Sequence, residues 1–132
     1  PGADLKNVTG NYLSSEGITG EEVWGTRGKW MQLAGKINGE SVSVVIIDHP
    51  SNPGYPTYWH ARGYGLFSAN NLGQKALSAG KDELNLNLPQ GKSVTFKYRL
   101  LVFSGELTPA AINRLMNSFV CCRKSKLISK EW

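Results

Sequence analysis

Pro50, Pro53 and Pro56 recur at three-residue spacing inside the run Asp48 to Gly73, DHPSNPGYPTYWHARGYGLFSANNLG, and neither a helix nor a central strand tolerates that spacing. The run must therefore begin as an irregular loop and become extended only beyond Pro56. It also gathers both histidines and three of the five tyrosines of the chain, a density that packing alone does not require. A carboxylate, two imidazoles, a guanidinium, amides and phenols form a ligand-binding assortment, and loops held on a rigid scaffold are where such groups usually act.

The length of 132 residues suits a single β-rich domain, residues 1 to 132, that is long enough to bury a core. No apolar run approaches the roughly 20 residues of a membrane-spanning helix, so no membrane span is expected. The opening PGADLKNVTG is polar, without an initiator Met or a signal-peptide pattern, and reads as the start of a processed or excised segment. The formal charge is +5, yet residues 1 to 122 carry eleven basic side chains against nine acidic ones, while residues 123 to 132 carry four against one. Most of the excess is thus a basic tail, RKSKLISKEW, and no nucleic-acid partner is expected, since phosphate-binding proteins place their cations as a stripe on a folded face. Cys121 and Cys122 are adjacent, which disfavours a mutual disulfide and leaves no spaced pair for a redox or metal motif. Asn7-Val8-Thr9 matches a glycosylation acceptor, a tripeptide common by chance.

The pattern along the chain predicts a mainly β fold, an antiparallel β-sandwich-like arrangement of sheets with one C-terminal amphipathic helix. Glycines crowd the first 29 residues, so loops are expected there, with one or two short extended pieces, one of them near Val23-Trp24. Trp30 to Ile37 alternates, Asn38-Gly39 is a two-residue hairpin signal, and Ser41 to Ile47 reads as a strand that enters the core and ends at the proline-rich loop. Two further strands are predicted, Leu84 to Leu88 and Ser93 to Phe103, reversing at Pro89-Gln90-Gly91. In the second of these, Val94, Phe96, Tyr98, Leu100 and Val102 share the face expected to be buried, with Thr95, Lys97 and Arg99 opposite. Thr108-Pro109 then supplies a cap and a first helical residue, after which Ile112, Leu115, Met116, Phe119 and Val120 fall at helical spacing.

Three segments carry a family resemblance: SSEGITGEEVWGTRGKW (Ser14 to Trp30), VVIIDHPSNPGYPTYWHARGYGLFSANNLG (Val44 to Gly73) and GKSVTFKYRLLVFSGELT (Gly91 to Thr108). Together they resemble a soluble bacterial family that bears the label methane oxygenase PmoA, over about residues 10 to 120. The resemblance implies an exported β-sandwich protein, periplasmic or extracellular, from bacteria that degrade complex carbohydrates. It implies sheets similar to the large sandwich of galactose mutarotases, which is a fold analogy and not a reaction. Relatives about twice this length make the chain the C-terminal part of a longer domain, so a missing N-terminal half, or self-association through open sheet edges, is an expected partner. Asn71 stands where that family commonly has proline before Leu-Gly.

The candidate site residues follow from the central run. His49, between Asp48 and Pro50 at the end of a core strand, can serve as a general acid or base, or can tie down the loop with a ring nitrogen. His60 lies in Tyr58-Trp59-His60-Ala61-Arg62, where an extended backbone places Tyr58, His60 and Arg62 on one face and Trp59 and Ala61 on the other. Asp48 joins the two histidines as the third candidate catalytic group, and with Glu21 or Glu22 it could supply the carboxylate pair of a glycosidase. Arg62 can hold a carboxylate or sugar hydroxyls, or pair structurally with Asp48, which is the expected arrangement. Asn52, Tyr58, Tyr64, Asn70 and Trp59 complete the ligand-binding set, with Trp24 and Trp30 as further stacking candidates. His49, His60 and Asp48 suit a transition metal chemically, but their spacing matches no ligand motif, and no metal set or cofactor is assigned. Phosphate-loop and nucleophile-elbow signatures are missing from the sequence.

Three function classes remain. The chain is a carbohydrate-binding or carbohydrate-processing protein with a polar His/Arg/Asn/Tyr site, or a non-catalytic structural or ligand-binding β-domain, or a metal-dependent oxidoreductase.

Overall fold

The computed structural model describes residues 10–121. The basic tail 123–132, the Asn7-Val8-Thr9 tripeptide and Cys122 lie outside the described residues. Four strands, β1 (Asn11–Ser14), β2 (Trp30–Ile37), β3 (Glu40–Asp48) and β6 (Tyr98–Ser104), form an antiparallel sheet in the order β1-β2-β3-β6. A second antiparallel sheet is the hairpin of β4 (Tyr58–Arg62) and β5 (Leu66–Asn70). Helix α1 is a single turn, Gln74–Leu77, and α2 runs Pro109–Cys121.

The turn between β2 and β3 forms where Asn38 and Gly39 take φ of 52° and 82°. Two consecutive positive φ values give a hairpin turn whose twist matches that of the flanking strands. From this turn the pairing runs Ile37↔Glu40 through Trp30↔Ile47, and alternation then sorts the side chains onto two faces. On one face Tyr12, Met31, Leu33 and Ile46 pack with Val23, Trp59, Ala61, Phe67 and Ala69, so the β4-β5 hairpin covers that side. On the other, Leu13, Trp30, Val45, Ile47 and Leu101 pack with Leu107, Ile112, Met116 and Phe119, so α2 covers it. Trp59 is fully buried under the sheet. A side chain of that size hides roughly 150–250 Å² and contributes, as an upper bound, about 4–6 kcal/mol to holding the hairpin in place.

Helix α2 is positioned by polar contacts as well as by its apolar stripe. The Thr108 hydroxyl accepts the Ala111 N–H at 3.3 Å, and Pro109 is the first helical residue. The fully buried Gln32 side chain accepts the Leu107 N–H and donates to the Leu107 carbonyl, each at 3.1 Å, clamping the backbone that leads into the helix. Trp30 Nε1 donates to Asn113 Oδ1 at 2.8 Å, and the Arg99 guanidinium lies over the Phe119 ring while donating to the Leu115 carbonyl and Ser118.

Three expectations are corrected. Residues Gly20–Val23 form a short 3-10 helix instead of an extended piece, bracketed by positive φ at Gly20 and Gly25. Leu84 to Leu88 is not a strand; the backbone bonds there are local, Leu86 N to the Leu84 carbonyl and Lys92 N to the Pro89 carbonyl, so the reversal at Pro89 forms without flanking strands. The last strand begins at Tyr98, and its apolar face is turned outward: Tyr98, Leu100 and Val102 are 42%, 64% and 66% exposed, while Arg99, Leu101 and Phe103 face α2. The parity is set at the strand entrance, where Lys97 is hydrogen-bonded to His49 and Asn52, and a one-residue shift there moves every side chain to the opposite face.

Candidate functional site

The proline-rich loop leaves β3 at Asp48 and folds back over its own carboxylate. Asp48 is buried, and its two oxygens accept the Thr57 N–H at 2.9 Å, Asn52 Nδ2 at 2.7 Å and Asn71 Nδ2 at 3.2 Å. The amides carry the network outward. Asn52 also donates to the Lys97 carbonyl and accepts the Lys97 N–H, both at 2.7 Å, and the Tyr98 hydroxyl donates to Asn71 Oδ1 at 2.7 Å. One carboxylate thus joins the end of β3, the loop before β4, the segment after β5 and the start of β6.

Burial pushes the Asp48 carboxyl above its ordinary range, and the bonds from Asn52, Asn71 and Thr57 offset part of that effect. The Tyr98 phenol is raised first by burial and then by the Asp48 charge. Tyr55 is raised by burial and by the charges of Asp48 and Glu16.

No cation neutralises Asp48 among the described residues, which corrects the expected pairing with Arg62. The Arg62 guanidinium instead lies over the Trp24 ring, 4.3 Å from its centroid. His49 is in the loop, where Nδ1 meets Ser51 Oγ at 2.7 Å and accepts the Ser51 N–H at 3.1 Å, and its ring stands edge-on to Phe119 at 5.0 Å. His60 lies in β4 opposite Ser68 of β5, on the face of the hairpin that points away from the sheet. The two imidazoles consequently sit in different layers, one against α2 and the other outside the hairpin.

The remaining candidates divide in the same way. Tyr58 is buried and donates to Asp82 Oδ2 at 2.6 Å, which together with burial raises its phenol. Trp59 donates from Nε1 to the Gly28 carbonyl at 3.1 Å, and Trp30 is buried on the α2 side, so neither ring is open to a ligand. Asn70 accepts the Gly73 N–H at 2.7 Å and shapes the turn after β5. Tyr64, at the hairpin tip, is 60% exposed. Glu21 and Glu22 are exposed on the 3-10 helix, with Glu21 beside Gly63 of the hairpin tip. Among the described residues no group of three or more His, Cys, Asp or Glu side chains is assembled as a metal set.

Several contributors carry no sequence signal. Arg27 donates to the carbonyls of Gly54, Tyr55 and Pro56 and to Asp82 at 3.3 Å, pinning the loop, and its guanidinium lies 5.2 Å from the centroid of the Tyr58 ring. Arg27 and Asp82 are 55 positions apart and meet only in the fold. Thr57 enters through its backbone N–H, which no side-chain pattern reports. Asn71 could have been found, since it stands in the central run with an amide where proline has none.

The family model that describes a Family of unknown function (DUF6807) matches residues 2–117. No curated protein and no solved structure matches the chain.

Proposed function

This chain belongs to the family of unknown function DUF6807, and from that premise we propose that it is a non-catalytic, carbohydrate-associated β-domain in which the Asp48 run locks the fold and the outer face of the β4-β5 hairpin meets the ligand. The observation that carries the reading is the enclosure of Asp48: the residue is fully buried, and its oxygens accept hydrogen bonds from the buried Asn52, Thr57 and Asn71, so the carboxylate is closed to a substrate. A general base needs a free acceptor within reach of the proton it removes.

His60, Arg62 and Tyr64 lie along the outward face and tip of the hairpin, with Trp24 beneath Arg62. A planar guanidinium, an imidazole and a phenol suit a polyhydroxylated ligand, which offers many hydroxyls and no charge. The resemblance to an exported family of carbohydrate-degrading bacteria supports that ligand class and a periplasmic or extracellular setting.

The test is a thermal-shift and calorimetric screen against mono- and oligosaccharides with the parent chain, His60→Ala, Arg62→Ala and His49→Ala. A ligand that binds only the folded state raises its melting temperature. The expected result is a saccharide-dependent shift that His60→Ala and Arg62→Ala reduce while their unliganded melting is nearly unchanged, and that His49→Ala leaves in place. Saccharide turnover by the parent, lost in His49→Ala with binding intact, would overturn the non-catalytic reading.

A further inference from the structure

Strand β6 ends the four-stranded sheet, and its free edge has a specific parity. The His49 N–H donates to the Lys97 carbonyl and the Gly105 N–H donates to the Ser41 carbonyl, at 3.3 and 2.6 Å, in register with Val42↔Ser104. In an antiparallel ladder the hydrogen-bonded residues alternate along a strand. Arg99, Leu101 and Phe103 therefore direct their backbone groups to β3, and Tyr98, Leu100, Val102 and Ser104 direct theirs outward. Among the described residues nothing pairs with that outward set.

The same residues expose their side chains. Tyr98, Leu100 and Val102 form an apolar strip on the sheet face that the β4-β5 hairpin leaves uncovered. Beside it Ile46, Phe67, Ser68, Ala69, Tyr98 and Leu100 line an open apolar groove of about 280 Å³. Natural edge strands are usually blunted by charge, proline, a bulge or brevity. This one spans seven residues without proline, its register against β3 is unbroken, and its one charged residue, Arg99, is engaged with α2 on the other face.

We propose that the open edge of β6 is the dimerisation strand of this protein, pairing antiparallel with β6 of a second copy to make one continuous eight-stranded sheet. The occupant is argued from self-complementarity. A two-fold axis at Leu101 places Leu100 opposite Val102 of the partner and Tyr98 opposite Ser104, with every outward N–H and carbonyl of one strand facing those of the other. On the reverse face Arg99 falls opposite Phe103, so no like charges meet. An isologous contact of this kind closes at two subunits and leaves no further apolar edge at β6. The two uncovered strips then become one apolar surface across the dimer.

The experiment is light scattering coupled to size exclusion on the full 132-residue chain at micromolar concentrations, together with amide hydrogen exchange of parent, Leu100→Lys and Val102→Lys. Both side chains are exposed, so neither substitution disturbs a core. The expected result is a parent mass twice that of the chain, a return to the monomer mass in both variants, and protection of the Leu100, Val102 and Ser104 amides in the parent that the lysine variants lose. Protection of the Arg99 and Leu101 amides, which belong to the β3 ladder, stays in all three. A monomeric parent overturns the proposal and gives the edge to another segment or another protein. A dimer whose Leu100 and Val102 amides exchange freely overturns it equally, since the contact then lies elsewhere.

Discussion

Asp48→Ala should destabilise this fold more than Asp48→Asn, and the hydrogen-bond pattern sets both magnitudes. In the alanine variant the Thr57 N–H loses its only partner and Asn71 Nδ2 loses its carboxylate acceptor, while Asn52 Nδ2 keeps the Lys97 carbonyl. Two buried donors are then unsatisfied, at about 1–3 kcal/mol each, for a total of about 2–6 kcal/mol. Asparagine keeps one acceptor oxygen and replaces the other with a donor. Its least damaging orientation sets the new amide NH2 against Asn52 Nδ2, because Asn52 cannot turn over while both of its amide atoms are held by Lys97. That leaves one donor-donor contact, about 1–3 kcal/mol, reduced by removal of a buried charge. Denaturant unfolding followed by tryptophan fluorescence reads both values from the midpoint, provided that the slope is unchanged. Asp48→Ala within about 1 kcal/mol of the parent would refute the account of Asp48 as the joint between four segments. So would an Asp48→Asn variant as unstable as Asp48→Ala.

The raised Asp48 carboxyl also predicts a pH signature. Its folded value lies above the ordinary 3.8, so the folded state holds the proton more tightly than the unfolded one; the destabilisation is absent below 3.8, grows as pH rises toward the folded value and is complete above it. The stability advantage of the parent over Asp48→Asn should therefore shrink as pH rises from 3.8 toward the folded value; an advantage that widens over that interval would contradict the burial argument. Gly25→Ala should be markedly more destabilising than Gly80→Ala. Both glycines have positive φ, but a Cβ at Gly25 would stand 2.7 Å from the Leu77 carbonyl oxygen whereas at Gly80 it meets open space, so the alanine at 80 should show only the backbone strain of about 1–2 kcal/mol. Equal losses in paired unfolding curves would show that the loop carrying Gly25 can move away from α1.

The β architecture was legible where local chemistry and tertiary demand agree. Trp30 to Ile37, the Asn38-Gly39 turn and the Thr108-Pro109 helix start each combine a backbone preference with a hydrophobic period, and each forms as read. The strand predicted over Ser93 to Phe103 forms from Tyr98, but its buried face was misassigned because the two faces are close in apolar content: Leu101 and Phe103 compete with Leu100 and Val102. The tie was broken by Asn52, 45 positions away, whose amide fixes Lys97 and with it the parity of the strand. Leu84 to Leu88 alternates as a strand should, but it found no ladder partner. Alternation predicts which side chains could share a face, and pairing decides whether there is a sheet to have one.

The central run was legible as a place and ambiguous as chemistry, for a reason that lies in the residue types themselves. A carboxylate with asparagines and a tyrosine within reach describes a sugar subsite and a buried structural joint equally well; what separates them is whether the hydrogen-bonding capacity is already used. Asp48, Asn52, Asn71 and Tyr98 satisfy one another, His49 is tied to Ser51, and Tyr58 is tied to Asp82. His60, Arg62 and Tyr64 make no side-chain hydrogen bond among the described residues, apart from which Arg62 has only its stacking on Trp24. Spare donors at an exposed surface interact with whatever arrives, whereas saturated groups must break an existing bond first, at about 0.5–1.5 kcal/mol net for each. Under the function proposed above, the ligand would meet the second half of the run, carried on the hairpin, while the first half, with the prolines and Asp48, joins β3 to the segments on either side of that hairpin.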